Sequence, residues 1–97
     1  MSPFIVFDVS DVAALASIRT AMLNLQYFSA WTHNGGTYFL PANTLWRSDG
    51  QQQQALDDLN SVIRNLNLTR NPNDQVTLLR CVVVQIQPWV GITGQSI

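Results

Sequence analysis

The chain has 97 residues, 46% of them hydrophobic, with five basic and six acidic side chains for a formal net charge of −1. That length fits one domain with one core, and so large an apolar fraction excludes a disordered chain. The near-neutral balance excludes the basic footprint that grips a phosphate backbone non-specifically, which argues against a general nucleic-acid binder.

The charge inventory is unusual, for the chain contains neither lysine nor glutamate. All its cations are arginines, all its anions aspartates, and much of its polarity comes from amides such as Gln51 to Gln54. Cys81 is the single cysteine, so no internal disulfide forms, and its strand-like neighbours predict a small buried hydrophobe. Met1 to Val9 carries no basic leader. No apolar run nears the roughly 20 residues that span a bilayer. The expectation is a cytoplasmic protein with no membrane segment.

Pro3 to Asp11, PFIVFDVSD, predicts a first strand that runs into an aspartate and then a helix start. Ser10 is the expected N-cap, with Asp11 favourably placed against the helix dipole. Val12, Leu15, Ile18, Met22 and Leu25 then recur at helical spacing. Two strand-like runs follow, Tyr27 to Thr32 and Thr37 to Leu40, around His33-Asn34-Gly35-Gly36. Asn-Gly between such runs predicts a tight hairpin. Pro41 to Gly50 reads as a loop with a brief extended piece at Thr44 to Trp46. Asp49 or Ser48 is the expected cap of a second helix, from about Gln51 to Leu66. Its apolar stripe is Leu56, Leu59, Ile63 and Leu66, with Asp57, Asp58, Asn60 and Arg64 outward. A polar turn through Asn71-Pro72-Asn73 leads into a last long strand, Val76 to Val84. Pro88 bends the chain before a short extra strand at Trp89 to Ile92.

Strand, helix, strand, strand, helix, strand is the order of a ferredoxin-like α+β domain. It predicts a βαββαβ antiparallel sheet with both helices on one face, plus a short C-terminal strand. A sheet covered on one side alternates apolar with polar residues; Phe4 to Val9 and Val76 to Val84 do not. With no third helix to cover the second face, a second copy of the chain is the economical cover, and a homodimer is expected. Residues 88–97 are expected to pack on the partner subunit, with Trp89 buried there.

Asp8, the single charge inside the first strand, is the sharpest chemical candidate: a carboxylate at a strand end can ligate a divalent metal or polarise water. Its plainer role is to cap the following turn. His33 reads as an exposed turn residue. One histidine, one cysteine and no glutamate support neither a Cys-His dyad nor a multidentate zinc site. Gly35-Gly36 joins two strands, so it is no phosphate loop. Trp31, Trp46, Trp89, Tyr27, Phe28, Tyr38 and Phe39 could stack bases, but core and dimer packing explain them more simply. Arg19 and Arg80 could reach phosphate, but their sparsity favours simple pairing with surface aspartates.

FIVFDVSD resembles the first strand of the small ferredoxin-like subunit of CRISPR spacer acquisition, where hydrophobic residues lead into an Asp-x-Ser-like turn. The remainder is similar to SinR-like proteins and, more distantly, to VapD-type endoribonucleases. Carrying that similarity are Trp31, the Tyr38-Phe39-Leu40 strand, the helix with Leu56 and Leu59, Asn73-Asp74-Gln75, and Trp89-Val90-Gly91. It covers residues 4 to 92 in order. The resemblance implies a homodimer with the two first strands near the two-fold axis. Asp8 would then be presented twice, sharing one magnesium ion and cleaving a phosphodiester.

Two functions therefore stand side by side. One is a homodimeric interaction module acting through a protein partner in a defence or mobile-element setting, which the composition favours. The other is a magnesium-dependent endoribonuclease or DNase with paired Asp8 as catalytic and metal-binding residue, which the resemblance implies.

Overall fold

The structure is a computed structural model and describes residues 2–33 and 35–86. Its main sheet has the order β2-β5-β1-β6, built from β1 (Ser2–Val9), β2 (Tyr27–Phe28), β5 (Thr44–Arg47) and β6 (Leu78–Ile86). Every neighbouring pair is antiparallel. With α1 (Leu15–Asn24) and α2 (Gln52–Asn67) between the strands, this is the ferredoxin-like βαββαβ arrangement. The expected extra strand after Pro88 and the burial of Trp89 lie outside the described residues.

Alternation along β1 places the core. Ile5, Phe7 and Val9 are buried, and with Leu45 and Tyr27 they meet Ile18 and Met22 of α1 and Ala55, Leu59, Val62 and Ile63 of α2. Both helices thus cover one face. The even-numbered residues of β1 look the other way, and there the surface stays apolar: Val6 is 39% exposed and its register partner Val82 61%. The missing polar alternation is real, and no helix among the described residues covers that second face.

The hairpin forms where Asn-Gly predicts it, between β3 (Ala30–His33) and β4 (Gly36–Phe39). The pairing of His33 with Gly36 leaves a two-residue turn, and Gly35 takes φ +78 as a type I′ turn requires. Its place in the sheet differs from expectation. β3 and β4 form their own two-stranded ribbon, and the supposed loop piece Thr44 to Trp46 is an inner strand between β2 and β1. The ladder from Tyr27↔Arg47 to Phe28↔Trp46 breaks at Ser29, because the opposite chain carries the extra residues 40–43. Pro41 among them has no N–H to give a ladder. Leu40 N–H still bonds Ser29 C=O at 2.9 Å. The Trp46 indole N–H bonds Ala30 C=O at 2.9 Å, tying ribbon to sheet.

Three local expectations are corrected. Asp11, not Ser10, caps the first helical segment, its Oδ1 accepting from Ala13 N–H at 3.0 Å. That segment opens as a 3-10 turn and leaves Val12 76% exposed rather than in the core. Ser10 instead accepts from Thr77 N–H through its hydroxyl and donates its own N–H to Thr77 C=O, both at 2.9 Å. The N-cap of α2 is Gln51, without a side-chain bond; Asp49 turns back onto Gly50 N–H. The last strand begins two residues late. Val76 is held by both its backbone groups on the side-chain amide of Asn67, at 2.7 and 2.9 Å, instead of in the ladder.

Candidate functional site

The regular β1–β6 ladder runs Phe4↔Val84, Val6↔Val82, Asp8↔Arg80 on the uncovered face and then slips, so that Val9 pairs with Leu78. Leu79 is the extra residue at that irregularity and stands 55% exposed. Such bulges re-aim side chains and end pairing; here the bulge closes the ladder just beyond Asp8.

Asp8 does not cap the following turn, since Asp11 does that. Its Oδ2 accepts from Arg80 Nε at 3.1 Å across the two strands. The side chains are 47% and 80% exposed, so water screens the pair, and it contributes at most about 1 kcal/mol. Arg80 is thus a partner for an aspartate, the reading that the sparsity of cations favours. On its other flank Asp8 borders a cavity of about 120 Å³ whose walls are mostly apolar, with Asn43 its second polar side chain.

A magnesium ion prefers six oxygen ligands in an octahedron. Among the described residues no three His, Cys, Asp or Glu side chains gather as a metal site. On this face the described residues offer one carboxylate, Asp8, already facing a guanidinium. Magnesium commonly keeps several waters and takes only one or two carboxylates, so Asp8 is the one candidate ligand that the described residues bring to this point.

The remaining face is aromatic and aliphatic. Phe28 and Trp46 lie 5.1 Å apart, tilted at 37°, in a row that continues through Phe4 to Val84 by register. Phe28 is 42% and Val84 43% exposed. His33 ends β3 opposite Gly36, away from the Asp8 ladder in register. Cys81 is half-buried against the helices, and burial raises its thiol pKa, which disfavours the nucleophilic thiolate.

One polar cluster was not legible as such. Tyr27 is buried, and its hydroxyl donates to Asp58 Oδ2 at 2.8 Å. Arg47 approaches the same oxygen at 3.7 Å and lies 5.8 Å over the Tyr27 ring. Burial, then the Asp58 carboxylate, push the Tyr27 pKa well above its ordinary value of 10.0. The cluster sits on the helix-covered face and works as a clamp between β2 and α2. Period-2 reading of Tyr27 and Arg47 could have put them on one face; nothing marked Asp58 as the inward member of α2.

Comparison with known proteins returns no family model, no curated protein and no solved structure that matches the chain.

Proposed function

We propose that the chain is a homodimeric interaction module in which two copies pair through their uncovered sheet faces. The observation that carries this is the apolar character of that face, where Val6, Phe28, Val82 and Val84 are 39%, 42%, 61% and 43% exposed. Contiguous apolar surface rimmed by polar groups marks association sites. A two-fold axis also requires a self-complementary patch. The face supplies one, since Asp8 and Arg80 carry opposite charges side by side and can exchange partners between copies. The similarity of FIVFDVSD to the small CRISPR adaptation subunit supports a defence or mobile-element setting and a protein partner.

Sedimentation equilibrium of the full chain and of Val6→Asp tests this. The parent is expected as a dimer. The variant, with a charge at the centre of the face, is expected as a folded monomer. An unchanged dimer in the variant would reject pairing through this face.

A second reading is favoured by one fact, the position of Asp8 on that same face. Face-to-face pairing would bring two Asp8 carboxylates towards one axis, the arrangement that the resemblance implies for a magnesium-dependent nuclease. Magnesium-dependent cleavage of RNA and DNA, abolished in Asp8→Asn, is the expected result under that reading. Cleavage that survives the substitution would exclude Asp8 as its catalyst.

A further inference from the structure

β5 stops short of the end of β1, and the gap it leaves is the cavity beside Asp8. The β1–β5 ladder ends at Val6↔Thr44. Phe7 N–H still bonds Asn43 C=O at 3.1 Å, and there the opposite chain turns away, Thr44 N–H bonding Pro41 C=O at 3.0 Å. The apolar walls are Phe7, Val9, Val12, Leu15 and Ala42, and the polar side chains are Asp8 and Asn43. Val12 is 76% exposed, so the cavity opens to water on that side.

The fold leaves polar groups of this cavity unengaged. In an antiparallel ladder a residue's N–H and C=O point to the same neighbour, and successive residues alternate. Phe7 turns to the β5 side, whereas Ser10 N–H bonds Thr77 C=O on the β6 side at 2.9 Å. Val9 therefore turns its N–H and C=O to the β5 side, where no described strand stands opposite it. Asp8 Oδ2 accepts from Arg80 Nε at 3.1 Å, and Oδ1 has no partner among the described residues. Asn43 Oδ1 accepts from the Thr44 hydroxyl at 3.4 Å, and its Nδ2 has no partner among the described residues. Donors and acceptors thus converge on one apolar slot, the usual make-up of a small-molecule site.

We infer that the cavity binds an uncharged aminopyrimidine of the cytosine type. Size sets the ring. A core cavity of roughly 150 Å³ holds one benzene, and the volume of about 120 Å³ here fits a single six-membered ring rather than a fused bicycle. Polarity sets its edge. Cytosine carries an amino donor beside a ring-nitrogen acceptor, and a carboxylate accepts from that amino group. Asp8 Oδ1 supplies the acceptor, while Asn43 Nδ2 and Val9 N–H are the donors on offer to the ring nitrogen. Uracil has a carbonyl where cytosine has its amino group, and would set an oxygen against the carboxylate. No arginine lines the cavity, so a phosphate on the ligand gains nothing there. The site lies within one chain and stands whether or not two copies pair. It gives Asp8 a ligand that needs no metal.

Titration of the full-length chain with cytosine in EDTA, followed by backbone amide shifts, tests this free of any metal. Saturable shifts are expected at Val9 and Asn43. Uracil is expected to bind at least about tenfold more weakly, the effect of one lost hydrogen bond to a charged acceptor. Absence of saturable shifts at about 10 mM cytosine overturns the inference, because a small ring seated in a matching slot binds more tightly than that. Shifts confined to Phe28 and Trp46 also overturn it, since they would mean stacking on the sheet face.

Asp8→Asn separates recognition from folding. An amide can donate where a carboxylate only accepts, so the variant is expected to lose about tenfold in cytosine affinity and to bind uracil as well as cytosine. A preference for cytosine that survives the substitution overturns the inference, because Asp8 would not then be reading the ring. Cytidine, its 5′-monophosphate and a short oligocytidylate identify the source of the ring. Equal affinity for all three is expected, and assigns the site to a free base or nucleoside. Tighter binding of the oligocytidylate at the same amides would sustain the pocket and assign it to a base within a strand.

Discussion

The hydroxyl of Tyr27 donates to Oδ2 of Asp58 at 2.8 Å, joining β2, an edge strand and the shortest of the sheet, to the middle of α2. β2 contributes two residues to the sheet, so this bond and the ring's burial hold a strand that its ladder alone would not. Tyr27→Phe keeps the ring and removes the donor. Asp58 still has Gln54 on Oδ1 at 2.7 Å and Arg47 at 3.7 Å. The expected loss is about 1–2 kcal/mol, toward the lower half of the range for bonds to charged acceptors. Urea unfolding measures it; a change below about 0.3 kcal/mol would mean that water and Arg47 replace the phenol completely.

The same phenol makes stability depend on alkaline pH. Its folded pKa lies above its ordinary value of 10.0, so the native state binds the proton more tightly than the unfolded state. That contribution is complete below pH 10 and declines as pH rises toward the folded value. Cys81, raised from 9.0 by burial, acts in the same direction from a lower starting point. Stability is therefore expected to fall above about pH 9–10, and Tyr27→Phe should flatten the part of that fall that begins near pH 10. An equally steep fall in the variant would assign the effect elsewhere.

Asn67 carries a different kind of load. Its amide accepts from Val76 N–H at 2.7 Å and donates to Val76 C=O at 2.9 Å, satisfying a buried residue just outside the ladder. Asn67→Ala leaves both backbone groups without that partner, and the expected cost is about 2–3 kcal/mol. Asn67→Asp should recover part of it, because the carboxylate still accepts from Val76 N–H. Equal losses in the two variants would contradict this account.

These side chains also mark where the sequence was legible and where it was not. Periodicity, apolar runs and turn chemistry are local properties, and they located α1, α2, β1 and the Asn34-Gly35 turn. They also exposed the uncovered sheet face through the missing alternation of β1 and β6. The misplaced pieces depend on contacts distant in the chain. Thr44 to Trp46 was legible as a brief extended piece but not as an inner strand, which it becomes because Leu45 pairs with Ile5. Val76 looked like strand because it is apolar, but Asn67 had already claimed its backbone. Asp58 was read as outward on helical spacing, whereas Tyr27 draws it to the sheet. Asp8 was legible as a lone charge in an apolar strand; its pairing with Arg80 required the β1–β6 register.

The ribbon of β3 and β4 is expected to fail locally rather than globally. Gly35 takes φ +78 with no atom near its missing Cβ, so a side chain there meets backbone strain and no clash. Gly35→Val with Asn34→Ala removes both residues suited to a type I′ turn, at about 1–3 kcal/mol. The ribbon shares no ladder with the main sheet. Amide exchange should therefore accelerate through Ala30 to Phe39 while Ile5 and Phe7 keep their protection. Loss of protection throughout the sheet would mean that the ribbon is integral to the core.

Asp8→Asn is the substitution that separates chemistry from architecture. The carboxylate is 47% exposed, and its partner Arg80 is 80% exposed. Screening by water and the entropy of a long arginine keep such pairs near or below about 1 kcal/mol. Asparagine preserves the shape and still offers an oxygen to Arg80 Nε. The folded chain is expected to lose less than about 0.5 kcal/mol, and high salt should shrink the difference further. Because stability is so little affected, lost metal-dependent cleavage in this variant would be a loss of chemistry and not of fold. Dimer affinity supplies the opposite control. If the charge pair exchanges between copies across the face, Asp8→Asn weakens dimerisation, and the double substitution with Arg80→Gln costs less than the two single effects added together. Strict additivity would show that the pair stays within each chain.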